Sequence, residues 1–92
     1  MENMKEKLRK IADHYGYVKQ LCQTMEECGE LTVACNKYLR SRDVSGLIEE
    51  IADVEIMTEQ LKYLMNIGIY VNKAKENKIA RQLERIGHEQ VH

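Results

Sequence analysis

Proline is absent from this chain, and so are phenylalanine and tryptophan. Without proline, nothing forces a long helix to end, and only five glycines are left as backbone breakers. Without Phe or Trp, any aromatic wall has to be built from the five tyrosines. Cysteine is scarce: Cys22, Cys28 and Cys35 are an odd number and form no C-x-x-C pair, which argues against a disulfide framework and against a zinc site. Cys28 and Cys35 share a helix face but lie too far apart along it to bridge, so all three are expected to be reduced, small core fillers. No sign of charge dominates, with a net charge of −1, so no general affinity for a nucleic-acid polymer or an acidic membrane is expected. No apolar run approaches the length of a bilayer span. Met1 to Lys10 is charged and lacks an apolar h-region, so no signal peptide is read there. The expectation is a soluble, cytoplasmic protein.

What is present is helix-forming. Leu, Glu, Lys, Met, Gln, Arg and Ala dominate, charged residues make up 32%, and the composition reads as all-α. The 92 residues are expected to form one domain, residues 1–92. A domain this small buries only somewhat more than about 60% of its unfolded surface, so a core shared between copies would help it.

Four helices are predicted. The first runs from about Glu2 to Asp13 and breaks at Gly16 within Tyr15-Gly16-Tyr17. The second runs from about Val18 to Leu39. The polar stretch from Ser41 to Gly46 offers Asp43 and Ser45 as N-caps for the third, about Leu47 to Asn66. Ile67-Gly68 marks a break, and the fourth runs from about Ile69 to Ile86, with Gly87 as its stop. Short connections predict antiparallel neighbours in a four-helix, bundle-like arrangement.

Helical phase separates core from chemistry. On the third helix, Leu47, Ile51, Val54, Met57, Leu61, Leu64 and Met65 make one apolar stripe. Glu50 falls inside it and Asp53 lies at its edge; a carboxylate there is costly unless paired or metal-bound. The second helix carries two stripes. Val18, Leu21, Cys22, Met25 and Leu39 form one; Leu31, Ala34 and Tyr38, with Glu27, form another on roughly the opposite side. A helix apolar on two sides belongs in the middle of an assembly, so a homodimer or homotetramer is expected. Gly29, mid-helix at a cost of about 1 kcal/mol relative to Ala, would let a facing helix approach closely.

The most informative feature is a pair of short repeats, Glu27-Cys28-Gly29-Glu30 and Glu50-Ile51-Ala52-Asp53, on the second and third helices. At a spacing of three, side chains share a helix face with Cβ atoms roughly 5–6 Å apart. Brought together, the four carboxylates would carry a formal charge of −4. Such a cluster repels itself, and a divalent cation makes it favourable. Oxygen-only ligands point to Mg²⁺, with Mn²⁺ as the other choice. Glu26 and Glu49 lie off the main stripes and read as flanking or surface groups. On the fourth helix, Lys78 and Arg81 share a face, with Lys73 and Asn77 on its flank; cations there suit a polyphosphate, or equally a solvated helix end near Arg85. Gln20 is two turns before Glu27 and could reach a base or sugar, or face solvent.

The segment Met25-Glu26-Glu27-Cys28-Gly29-Glu30-Leu31, followed by Ile48-Glu49-Glu50-Ile51-Ala52-Asp53-Val54, resembles the MazG-like all-α nucleoside triphosphate pyrophosphohydrolases. Their pattern is E-x-x-E, a linker, then E-x-x-D, and here nineteen residues separate Glu30 from Glu50. Asn77-Lys78-Ile79-Ala80-Arg81 is similar to the family's N-K-[FI]-x-R segment. The likeness covers most of the chain, from about Tyr15 to Ile86. It implies a Mg²⁺-dependent enzyme that converts a (d)NTP and water to the (d)NMP and pyrophosphate. By position it makes Glu27, Glu30, Glu50 and Asp53 the catalytic metal ligands and turns Lys78 and Arg81, assisted by Asn77, toward the phosphates. A phosphoribosyl-ATP pyrophosphatase of the same superfamily is the nearest alternative. It ranks second because Asp53 is followed by Val54-Glu55-Ile56-Met57 and not by a D-L-x-x-H type sequence. A non-catalytic helical oligomer serving as an adaptor or regulator is the alternative from another class.

Overall fold

Gly16 decides the first corner. Its φ of 82° is open to glycine at no steric cost, and its N–H closes the first helix on the Ala12 carbonyl at 2.8 Å. The computed structural model describes residues 1–91, and these are all-α: α1 Met4–Tyr15, α2 Tyr17–Ser41, α3 Val44–Leu64 and α4 Gly68–Val91. Asn3 caps α1, its Oδ1 accepting from the Glu6 N–H at 2.8 Å. Of the two N-caps weighed for α3, Asp43 serves, accepting from the Ser45 N–H at 3.2 Å and the Ser45 hydroxyl at 2.6 Å. Arg42, left-handed at φ 61°, ends α2 through its N–H on the Tyr38 carbonyl at 2.7 Å. Gly87 does not stop α4, which runs on to Val91. An isolated glycine costs a helix only about 1 kcal/mol, too little to end one without other turn chemistry.

The two-residue link at Arg42–Asp43 folds α2 and α3 into an antiparallel hairpin, the main packing of the molecule. It uses α2's second stripe: Ala34 is buried, and Leu31 and Tyr38 are half-buried. From α3 come buried Met57 and half-buried Leu47, Val54, Leu61 and Leu64, while Ile51 and Met65, expected in this stripe, stay exposed. Both lie about a quarter turn or more around the helix from Met57. Helix α1 lies across the hairpin with Ala12 buried.

Two buried carboxamides lace these helices together. Gln20 Nε2 of α2 donates to Gln60 Oε1 of α3 at 2.6 Å, and Gln60 Nε2 donates to the Leu8 carbonyl of α1 at 3.2 Å. At the rim, the Tyr63 hydroxyl donates to the Asp13 carboxylate, 2.8 and 2.9 Å from its two oxygens, and this bond pushes the Tyr63 pKa up.

Helix α4 is the most loosely packed member of the four-helix arrangement. It meets α3 near its start, where Val71 is half-buried, and residues 72–90 are exposed. The stripe that continues from Val71 explains this. At positions i+4, i+7, i+11 and i+14 it carries Lys75, Lys78, Gln82 and Arg85, so no apolar seam holds α4 to α3. The cysteines correct another expectation: Cys22, Cys28 and Cys35 are unpaired and exposed on α2, not core fillers within the chain. His14 belongs to the last turn of α1, His88 lies in α4, and His92 falls outside the described residues. No helix among the described residues is long and apolar enough to cross a membrane.

Candidate metal centre

The α2–α3 hairpin sets the two acidic repeats against each other. Glu27 lies on the inner face of α2, between Gln20 and Ala34, and Glu50 lies on the inner face of α3, two turns before Met57. Glu27, Glu50 and Asp53 each place one carboxylate oxygen within 4.8 Å of the others. Opposite ligands of an octahedral Mg²⁺ stand about 4.2 Å apart, twice a metal–oxygen distance of 2.0–2.1 Å. The trio can therefore close on one cation with small side-chain movements.

The partners of these oxygens are unequal. Glu27 Oε1 accepts from Gln23 Nε2 at 2.9 Å. Glu27 Oε2 and Glu50 Oε2 are shielded from solvent and have no hydrogen-bond partner. Such orphaned acceptors are uncommon in folded proteins and call for an ion, a water or a functional role. Glu50 has its pKa raised, first by desolvation and then by the negative charges of Glu30, Asp53 and Glu27. Asp53 is raised as well, first by desolvation and then by Glu27. Both shifts report a site that disfavours its own ionised carboxylates and lacks positive charge.

Glu30 is not one of the trio but adjoins Glu50 through its side chain. It is exposed, and its charge acts on Glu50. Beside the cluster a groove of about 400 Å³ runs between α2 and α3, bordered by Glu30, Val33, Ala34, Gly46, Leu47 and Glu50. None of the tyrosines lines it. Tyr38 instead packs half-buried in the hairpin, with the Arg42 guanidinium 5.6 Å from its ring centre.

The remaining site expectations fare differently. Gln20 is only 5% exposed and is bonded to Gln60; it faces neither solvent nor the groove, which leaves little of it for a nucleoside. Asn77, Lys78 and Arg81 lie on the solvated part of α4, and within one chain they are not brought to the carboxylates. Gln23 joins the site through Glu27, and a Gln four residues before a Glu on one helix is a readable pairing signal. Gln60 carried no local signal, because its partner lies forty residues away.

Comparison with protein-family models, with curated proteins and with solved structures gave no match.

Proposed function

We propose that this chain is a divalent-metal-dependent nucleoside triphosphate pyrophosphohydrolase, taking a (d)NTP and water to a (d)NMP and pyrophosphate. One observation carries the reading: three carboxylates from two helices lie within reach of a common cation, and two of their buried oxygens have no partner. Oxygen-only ligation favours Mg²⁺, with Mn²⁺ able to substitute.

In this reading Glu27, Glu50 and Asp53 would hold the metal, and the Gln23 amide orients Glu27 by occupying its other oxygen. A divalent cation held there would neutralise charge on the polyphosphate and acidify water at the site. Glu30, beside Glu50 but outside the trio, is the carboxylate this reading assigns to accept the proton of an attacking water. The groove offers the nucleoside a mostly apolar slot between Val33 and Leu47. Lys78, Arg81 and Asn77 would serve the phosphates only where an α4 helix reaches the cluster, which its own chain does not bring about.

The test is a panel of canonical and modified nucleotides with purified protein and Mg²⁺, followed by phosphorus NMR. Monophosphate and pyrophosphate are the expected products. Absence of pyrophosphate from every nucleotide, with no Mg²⁺ effect on thermal melting, would leave the adaptor reading standing. Glu50→Gln is expected to abolish turnover while keeping the helical circular dichroism spectrum; an active variant would remove Glu50 from the metal.

A further inference from the structure

We infer that the gap between α1 and α4, over the end of α3, is a binding site for a small organic phosphate: a phosphate monoester on an apolar body. The gap is a cavity of about 680 Å³, within the size range of small-molecule sites. It shares no residue with the groove beside the carboxylates. Its α3 residues Glu59 and Tyr63 lie about 9 and 15 Å along the helix beyond Asp53.

The cavity stays open for an electrostatic reason. Among the described residues, α1 and α4 each pack on α3 but not on each other. From α1, Lys5 and Arg9 line the gap, and they face the positive N-terminal end of α4. The charge does not cancel inside the cavity. Lys62 is matched by Glu59, the one carboxylate among the described lining residues. Lys5 and Arg9 have no ion pair among the described residues. Two positive charges therefore remain. A phosphate monoester carries about −1.5 to −2 near pH 7, whereas a carboxylate or a sulfate ester carries a single charge. Arg9 is also held in place. Its guanidinium lies 4.8 Å from the Tyr63 ring centre, and the Tyr63 hydroxyl is fixed on Asp13 at 2.8 and 2.9 Å. A planar guanidinium so placed can bind two phosphate oxygens at once.

Helix α4 supplies further donors. Its first backbone bond runs from the Val71 N–H to the Ile67 carbonyl at 2.9 Å, so the N–H groups of Gly68 and Ile69 precede the ladder. Both residues line the cavity, and no acidic residue in the first turn offsets the positive helix end. The ligand's body is apolar because the rest of the lining is. Leu8 is half-buried, and Met4 from α1 and Ile69 from α4 are each 83% exposed. A ligand between them covers apolar surface that the chain leaves to water, and it ties the loosely packed α4 to α1.

This inference does not rest on the metal reading, and its experiment runs in EDTA without any nucleotide. Amide NMR shifts on titration with phenyl phosphate are expected to saturate and to centre on Lys5 to Arg9 and Gly68 to Asn72. Phenyl sulfate has the same body and one charge fewer. It is expected to bind about fivefold more weakly, the worth of one charge pair at about 4 Å in water. Inorganic phosphate, which lacks the body, is expected to bind more weakly than phenyl phosphate. Lys5→Gln with Arg9→Gln should weaken phenyl phosphate by on the order of tenfold or more. No saturable shifts at these amides, or shifts centred on the α2–α3 hairpin, would overturn the site. Equal affinity for phenyl phosphate and phenyl sulfate overturns the phosphate assignment, and equal affinity for inorganic phosphate overturns the apolar body. If the double variant fails to fold, the shift map and the ranking of the three anions on the unaltered protein still decide the matter.

Discussion

Replacing Gln60 by leucine tests how α1, α2 and α3 are held together. The side chains are similar in size, so little cavity is made. Two hydrogen bonds go, the 2.6 Å bond from Gln20 Nε2 and the 3.2 Å bond to the Leu8 carbonyl. The Leu8 carbonyl lies inside α1 and keeps its helical donor. The Gln20 amide does not recover its lost acceptor, because Gln20 is only 5% exposed. An unsatisfied buried amide costs about 1–3 kcal/mol. For a domain of this size, about 2 kcal/mol corresponds to a fall of ~8–16 °C in Tm. Replacing Gln20 by leucine as well removes the orphan, and exchanging both partners for apolar groups is close to neutral. The double-mutant cycle is therefore expected to show a coupling of about 1–3 kcal/mol, with the double variant more stable than Gln60→Leu. Urea denaturation followed at 222 nm, at one fixed protein concentration, measures all four corners. A Gln60→Leu chain as stable as the parent, or a double variant that loses at least the sum of the singles, would refute the reasoning.

The acidic cluster sets further expectations. Mg²⁺ at about 100 times its dissociation constant should stabilise the chain by about 2.7 kcal/mol, visible in a melt as a rise of on the order of 10–20 °C, and the rise should vanish with EDTA or in Glu50→Gln. The pH dependence follows from the raised pKa values of Glu50 and Asp53. For a raised carboxylate, the stabilising contribution is complete below the unfolded pKa and is lost as pH rises through the folded one. Without metal, the urea midpoint should thus rise as pH falls from neutral through those raised values, a trend that Glu50→Gln with Asp53→Asn should flatten. Asp43 acts in the opposite direction, since its bonds to Ser45 lower its pKa; its contribution is lost as pH falls through that lowered value, so the gain should reverse in stronger acid. With saturating Mg²⁺ the cluster's slope should change sign, because the metal requires ionised ligands. Asn3→Ala removes the α1 cap and should cost about 1 kcal/mol, with faster amide exchange confined to the first turn of α1 by hydrogen-exchange mass spectrometry.

Local chemistry was readable from the residues alone. Helix formers without proline made the chain helical, Gly16 marked the corner before α2, Asp43 stood as an N-cap, and the three-residue spacing placed each acidic pair on one helix face. The two apolar stripes of α2 were legible too, since periodicity describes a helix in its own frame. Periodicity carries no information about which stripe meets which neighbour. Only the folded hairpin selected the Leu31–Ala34–Tyr38 side, drew Glu27, Glu50 and Asp53 together and left Glu30 beside them. From the sequence, Gln20 is open to a base or sugar or to solvent, because a polar residue near an acidic motif is ordinarily solvated. Its burial depends on Gln60, forty residues away, and no local pattern encodes that pairing. Stripe by stripe, α4 shows the same division: its basic residues were plain in the sequence, but whether cations meet carboxylates is set by how helices pack, and the polar seam beyond Val71 gives α4 no apolar surface with which to stay on α3.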